Sequence, residues 1–225
     1  MRILAKEFET RRDWPIWLVI GVLVVLGIYF YPQLPERVPI HWNAQGEVDG
    51  YGSRFVGAFG LTLTAMGIYV LLLVAPAIEP KRQNYTKFSG IYNLFRRLIV
   101  LFMALLQLVS LLSGLGHEVN MRLVVQPALA LIFILFGNQL GRVRHNYTFG
   151  IKTPWTLADE EIWRKTHRFG AQVFVAAGVV GLLATLVKAE IGFWIFMSSI
   201  ILASVISMVY SYLLFRAKQS SSQDK

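Results

Sequence analysis

Long apolar runs alternate with short polar segments along this chain, and within the runs the apolar positions show no amphipathic three-to-four spacing. Six runs are long enough to cross a bilayer as helix, which takes about 20 residues. They cover 14–31, 56–78, 98–115, 123–140, 169–187 and 191–214. The pattern predicts an all-α integral membrane protein with six transmembrane helices, a single polytopic unit over residues 1–225. The first run does not read as a cleaved signal peptide. It is too long, begins at Trp14, and is followed by Tyr31-Pro32 rather than a small-residue cleavage site.

Charge sets the predicted orientation. Lys and Arg number 4 before the first run, then 2, 5, 1, 6 and 1 in the successive loops, and 3 in the tail. Eighteen of the 22 therefore fall on one side. The positive-inside rule puts both termini and the loops 79–97 and 141–168 in the cytoplasm, with the loop 32–55 outside. The net charge of +9 then sits next to the membrane, where anionic lipid attracts it. Lipid is the expected partner, and no direct nucleic-acid contact is needed. The absence of cysteine excludes disulfides and thiolate chemistry.

None of the six runs contains Asp, Glu, Lys, Arg or His. Ionisable groups inside spans mark proton relays and ion pathways, so an ion-coupled transporter is disfavoured. No phosphate-binding G-x-x-x-x-G-K-[ST] loop is present to supply ATP energy. The polar residues of the runs include Gln107, Gln126, Asn138, Gln139, Gln172, Ser198, Ser199, Ser204 and Ser207. They predict hydrogen bonds between helices, with Gly178 and Gly181 allowing close packing.

The outer loop reads L-P-E-R-V-P-I-H-W-N-A-Q-G-E-V-D-G-Y-G-S-R over 34–54. Pro35 and Pro39 hold their neighbours extended. A strand is expected over 38–42, turned at 43–46, with a second strand around Glu47-Val48 and a bend at Gly50-Tyr51-Gly52. As a binding surface, Trp42 and Tyr51 would stack on a ligand while His41, Asn43 and Asp49 hydrogen-bond it, on a frame shaped by Gly46 and Gly50. A plainer reading has Trp42 and Tyr51 anchoring at the membrane interface. His41, Glu47 and Asp49 match no common metal spacing, so neither metal nor cofactor is expected.

The inner loop carries more signals. Thr153 is extended by Pro154, and Thr156 is placed to cap a helix running from Leu157 straight into the fifth span, with Asp159 in its acidic first turn. Glu160–Arg164 and Glu161–Lys165 are i,i+4 pairs, and Trp163 and His167 share a face. Trp155 and Trp163 are expected at the headgroups, with Arg164, Lys165 and Arg168 reaching phosphates. An enzymatic pairing of Glu160 with His167 spans seven residues, too far for a direct hydrogen bond in a straight helix. The segments Asn84-Tyr85-Thr86 and Asn146-Tyr147-Thr148 fit the glycosylation sequon but are expected in the cytoplasm. Their likeness to each other is three residues long and is treated as chance.

The segments P-I-H-W-N-A-Q-G-E-V-D-G-Y-G-S-R and G-N-Q-L-G-R-V-R-H-N-Y-T-F-G-I-K-T-P-W-T-L-A-D-E-E-I-W-R-K-T-H-R-F-G resemble the two signatures of the SdpI family. These are bacterial membrane proteins named for immunity to a secreted sporulation-delaying peptide toxin. Glu79-Pro80 followed by Asn84 and Phe88 is similar to the family's loop between the second and third spans. Lys152 stands where the family more often shows Arg, which keeps the charge but loses the bidentate fork, and Ile162 stands where Val is common.

The resemblance implies a receptor-like immunity protein of the bacterial plasma membrane. Its expected partners are a secreted peptide toxin outside and a cytoplasmic transcriptional repressor inside. The toxin would engage His41, Trp42, Asn43, Gly46, Asp49, Gly50 and Tyr51. A cytoplasmic signature would report occupancy, beginning at Asn138, Asn146 and Gly150 and continuing through Lys152, Thr153, Pro154, Trp155 and Thr156. Glu160, Trp163, Thr166, His167 and Arg168 complete it. Two other readings are a membrane enzyme acting on a lipid or cell-wall precursor through Glu160 and His167, and a peptide or lipid transporter.

Overall fold

The computed structural model describes residues 13–223, in which six long apolar helices carry one two-stranded antiparallel sheet after the first of them. The elements are α1 (Trp14–Phe30), β1 (Arg37–Trp42), β2 (Val48–Ser53), α2 (Leu61–Ile78), α3 (Ser89–Gly114) and α4 (Met121–Leu140). A five-residue α5 (Pro154–Ala158), α6 (Glu160–Leu183) and α7 (Ala189–Gln223) follow. With the short helical turns at their ends, α1, α2, α3, α4, α6 and α7 each have the length and apolarity to cross a membrane. Large apolar side chains such as Leu18, Ile28, Leu71 and Ile201 stand exposed on their outer faces, as lipid-facing positions do.

Helices α1, α2 and α3 pack together, α4, α6 and α7 form a second group, and α3 meets α4 between the two. Close approach within the second group needs small residues: a Cβ on Gly178 would lie 2.6 Å from Ile134 Cγ1, and one on Gly181 would lie 2.4 Å from Phe196. Gln126 crosses from α4 to the carbonyl of Gly181 at 3.1 Å, and Ser199 crosses from α7 to Ala177 at 3.3 Å. Asn138 and Gln172 are exposed instead, so the expected interhelical bonding holds for only part of that set.

The hairpin is seated in the first group. Val38 is completely buried with Leu34, Ala58 and Leu111, and a Cβ on Gly57 would lie 2.4 Å from it. A π-helical turn, Val56–Gly60, enters α2. Gln107 bonds that turn from α3, donating to Gly57 O at 2.6 Å and accepting from Thr62 N at 3.2 Å. Ser110 donates to Pro39 O at 2.8 Å. The expected bend at Gly50-Tyr51-Gly52 is absent. Those residues lie inside β2, opposite His41, Pro39 and Val38, and the irregularity falls in β1 between Pro39 and Trp42.

Two boundaries also differ from expectation. Helix α3 starts at Ser89, nine residues before the apolar run, so Arg96 and Arg97 lie within it. Arg96 is completely buried against the carboxylate of Asp13. Arg97 Nε meets that carboxylate at 2.9 Å, and the Tyr69 hydroxyl donates to it at 2.8 Å. The charge-free interior therefore ends in a buried ion pair. Four basic residues of the N-terminal segment (Arg2, Lys6, Arg11 and Arg12) lie outside the described residues.

Candidate functional site

The hairpin shows its polar groups to solvent on a rigid frame. His41 Nδ1 and Asp49 Oδ1 are 2.5 Å apart across the strands, with side chains 70% and 43% exposed. Tyr51 is half exposed, with the Arg37 guanidinium 5.4 Å from its ring centroid. Asn43 is occupied by the turn. Its Oδ1 accepts from Gln45 N at 3.0 Å and Glu47 N at 2.9 Å, and Gly46 supplies the positive φ of 87°. Glu47 turns toward Asn43 Nδ2 at 3.3 Å, so the three acidic and imidazole groups of the loop do not converge on one point. Trp42 leaves the exposed face and helps to line a cavity between the turn, α4 and α7.

At the opposite end the loops 79–88 and 141–159 interlock. Asn146, completely buried, accepts from Thr148 N at 2.9 Å and Phe149 N at 2.6 Å, and donates to Arg144 O at 2.8 Å and Phe149 O at 2.9 Å. Glu79 accepts from Tyr147 N at 3.0 Å and from the Thr148 hydroxyl. Asn84 donates to His145 O at 2.8 Å. The two N-Y-T segments thus lie against one another with unlike bonding. Beneath them Tyr85, Phe88, Tyr92, Phe149 and Trp163 form one buried cluster, and burial pushes the Tyr85 hydroxyl up to about 12.

Trp163 is sandwiched between two imidazoles, with His145 5.0 Å and His167 4.0 Å away between centroids. Its indole N–H donates to Val143 O at 2.9 Å. Trp163 is 1% exposed, so it is a core residue rather than a headgroup anchor. His167 is completely buried, with Nδ1 2.9 Å from Trp163 O and Nε2 accepting from Ile151 N at 3.0 Å. Those partners fix the neutral imidazole with its proton on Nδ1. The enzymatic pairing of His167 with Glu160 is therefore not assembled.

Glu160 instead shares a cavity of about 300 Å³ with Arg144, His145 and Arg164. Lys81 Nζ donates to His145 Nδ1 at 2.8 Å, and His145 Nε2 donates to Leu157 O at 3.1 Å. Burial and the Lys81 ammonium hold the His145 imidazole below its ordinary value. Gly150 permits the whole arrangement: its φ is +119°, and a Cβ there would lie 2.4 Å from His167 Nε2.

The helix start differs from expectation in one respect. Thr153, extended ahead of Pro154, caps the short α5 in a reciprocal box with Thr156, and Ser211 of α7 lies 3.0 Å from its hydroxyl. The chain then breaks at Asp159, whose carboxylate caps α6 by accepting from Glu161 N at 2.8 Å and Ile162 N at 3.0 Å. Lys218 Nζ at 2.6 Å, together with those backbone bonds, holds the Asp159 carboxyl below its usual range. Thr156 is thus a member of the first cap rather than the cap of the span. Glu161–Lys165 closes at 2.9 Å.

The other signature residues divide by exposure. Trp155 packs on Tyr212 with ring centroids 5.0 Å apart, and exposed Lys152 donates to Thr148 O at 3.1 Å. Thr166 is completely buried, while Asn138 and Arg168 are exposed. Sequence reasoning missed Asp13, Tyr69, Lys81 and His145. A signal existed for the first: an acid immediately before the first span and the Arg96-Arg97 pair flanking the third.

Comparison with known proteins matches both halves. Residues 142–211, from the loop after α4 through most of α7, match the SdpI/YfhL protein family. Residues 18–66, covering α1, the hairpin and the entry to α2, match a domain of unknown function, DUF1648. Immunity protein SdpI of Bacillus subtilis (strain 168) is 28% identical over 195 residues, covering 87% of this chain and 91% of that protein. No solved structure matches the chain.

Proposed function

Because the chain belongs to the SdpI/YfhL protein family, we propose that it is a multi-pass immunity protein of the bacterial plasma membrane, binding a secreted peptide of the sporulation-delaying type at its hairpin. The observation that carries this reading is a hairpin with His41, Asp49 and Tyr51 exposed and Val38 locked into the bundle. A ligand meeting such a surface finds its contacts already ordered, which lowers the entropic cost of binding. The asymmetry of Lys and Arg supports a hairpin outside and both termini inside.

Occupancy reaches the other end only if the peptide binds two arrangements of the bundle with different affinity. The interlocked loops 79–88 and 141–159 are the element such a shift would rearrange. A cytoplasmic repressor would then dock on the exposed rim of that end, at Arg144, Lys152, Glu160, Arg164 and Arg168, because the signature residues beneath are sealed.

The test is survival of a sensitive strain lacking its own immunity gene when challenged with the sporulation-delaying peptide. Cells carrying the native chain should survive. The double variant His41→Ala, Tyr51→Ala, at equal membrane level, should die. Full protection by that variant would show that the peptide is met elsewhere.

A further inference from the structure

The turn of the hairpin overhangs a cavity of about 150 Å³ between the neighbouring ends of α4 and α7. Its wall is apolar, with Val125, Leu129, Phe193 and Met197 facing Trp42. Gln126, bonded to Gly181 O and within 3.5 Å of Gly192 O, fixes the spacing of the helices around it. One cation lines the cavity. Arg122 donates from Nη2 to the Thr185 carbonyl, while its Nε is shut off from solvent and has no acceptor among the described residues. Glu118 and Glu190 lie at the same end, and among the described residues neither forms an ion pair with it.

A guanidinium that lines an apolar wall and meets no carboxylate among the described residues favours an anionic oxygen. The size of the space narrows the choice of ligand. A dry protein cavity of about 150 Å³ holds one benzene-sized group. It admits a single large side chain.

We propose that this cavity is the anchoring subsite for the secreted peptide, taking one large apolar side chain whose neighbouring carboxylate is held by Arg122. The inference rests on the immunity reading above and adds a second contact region to it, beneath the exposed hairpin face.

The chain has no cysteine, so Val125→Cys places a unique thiol in the cavity wall. In membranes of cells expressing that variant, the sporulation-delaying peptide at about ten times its Kd should slow maleimide labelling about tenfold. Labelling of Glu118→Cys, on the exposed loop nearby, should not change. Arg122→Gln should weaken protection about ten- to a hundredfold at unchanged membrane level, with Arg122→Lys recovering part of it. Leu129→Trp, which fills the space, should abolish protection.

Labelling of Val125→Cys that ignores the peptide, with full protection by Leu129→Trp, would overturn the subsite. If His41→Ala, Tyr51→Ala still loses protection in that case, the immunity reading stands. Failure of the native chain to protect would overturn both.

Discussion

At the hairpin end, His41 stands 70% exposed and Tyr51 50%; at the opposite end, Asn146, Thr156 and His167 are completely buried and Trp163 is 1% exposed. Both sets belong to long, distinctive motifs, and both are rich in the residue types that recognise ligands. Their surroundings assign them different work. The hairpin side chains lean outward from a frame that other residues hold, chiefly Val38, Asn43 and Gln107. The second motif spends its side chains on its own backbone, as the four hydrogen bonds of Asn146 show. A motif thus marks a demanding environment, and burial decides whether the demand comes from a ligand or from the fold.

The sharpest tests of this contrast lie where the fold is most committed. Asp13→Asn leaves Arg96 buried against a neutral amide, and losing one partner of a buried ion pair costs about 3–5 kcal/mol. Gly150→Ala adds backbone strain to a contact of 2.4 Å with His167 Nε2, so a loss of about 3 kcal/mol is expected. Asn146→Ala strands buried loop groups and should cost about 2 kcal/mol. Thermal unfolding in nanodiscs measures all three. A melting temperature unchanged by Gly150→Ala would mean that the end opposite the hairpin is a loose docking loop after all.

Span count, the charge asymmetry and the hairpin were legible in the sequence because each rests on a local pattern. Apolar run length gives a helix, and Asn43 through Gly46 gives a turn. What stayed hidden depends on contacts distant in sequence. Trp163 looked like an interface anchor because its burial comes from loop 79–88 and from Val143, which no periodicity reveals. Thr156 was read as the cap of the fifth span. The real cap, Asp159, is marked only by a chain break that packing of α5 against α7 makes worthwhile. The start of α3 was misjudged for a similar reason: Arg96 and Arg97 bound the apolar run on paper, yet Asp13 lets the helix bury Arg96.

Acid gives a smaller perturbation of the same end. His145 is held below its ordinary value of 6.5 by burial and by Lys81, so the unfolded chain binds the proton first. Its neutral form contributes fully above about pH 6.5, and stability falls as pH drops from there toward the depressed folded value. Corrected for the pH dependence of intrinsic exchange, hydrogen exchange of segment 141–153 should quicken as pH falls below about 6.5, while the hairpin amides keep their protection. His145→Gln should flatten the response, since glutamine does not titrate. Equal acceleration at both ends would place the sensitivity in the bundle as a whole.

The smallest effect on stability is expected where the effect on protection is large. His41 and Asp49 meet at 2.5 Å, but both side chains are open to solvent, where an ion pair is worth about 0–1 kcal/mol. Tyr51 touches water on half its surface, and the Arg37 guanidinium over its ring adds little at an exposed site. His41→Ala, Asp49→Ala and Tyr51→Ala should therefore each shift unfolding by about 0.5 kcal/mol or less. A variant that melts normally and fails to protect has lost recognition alone. That separation requires the frame to be independent of the face, which the seating of Val38 against Gly57 provides. Val38→Ala supplies the converse. It leaves every exposed group in place but opens a hole under the strand, so it should destabilise by about 1–3 kcal/mol and weaken protection through disorder. If the three exposed-face variants instead unfold as readily as Val38→Ala, the hairpin is a structural clasp, and the peptide must meet the bundle by another route.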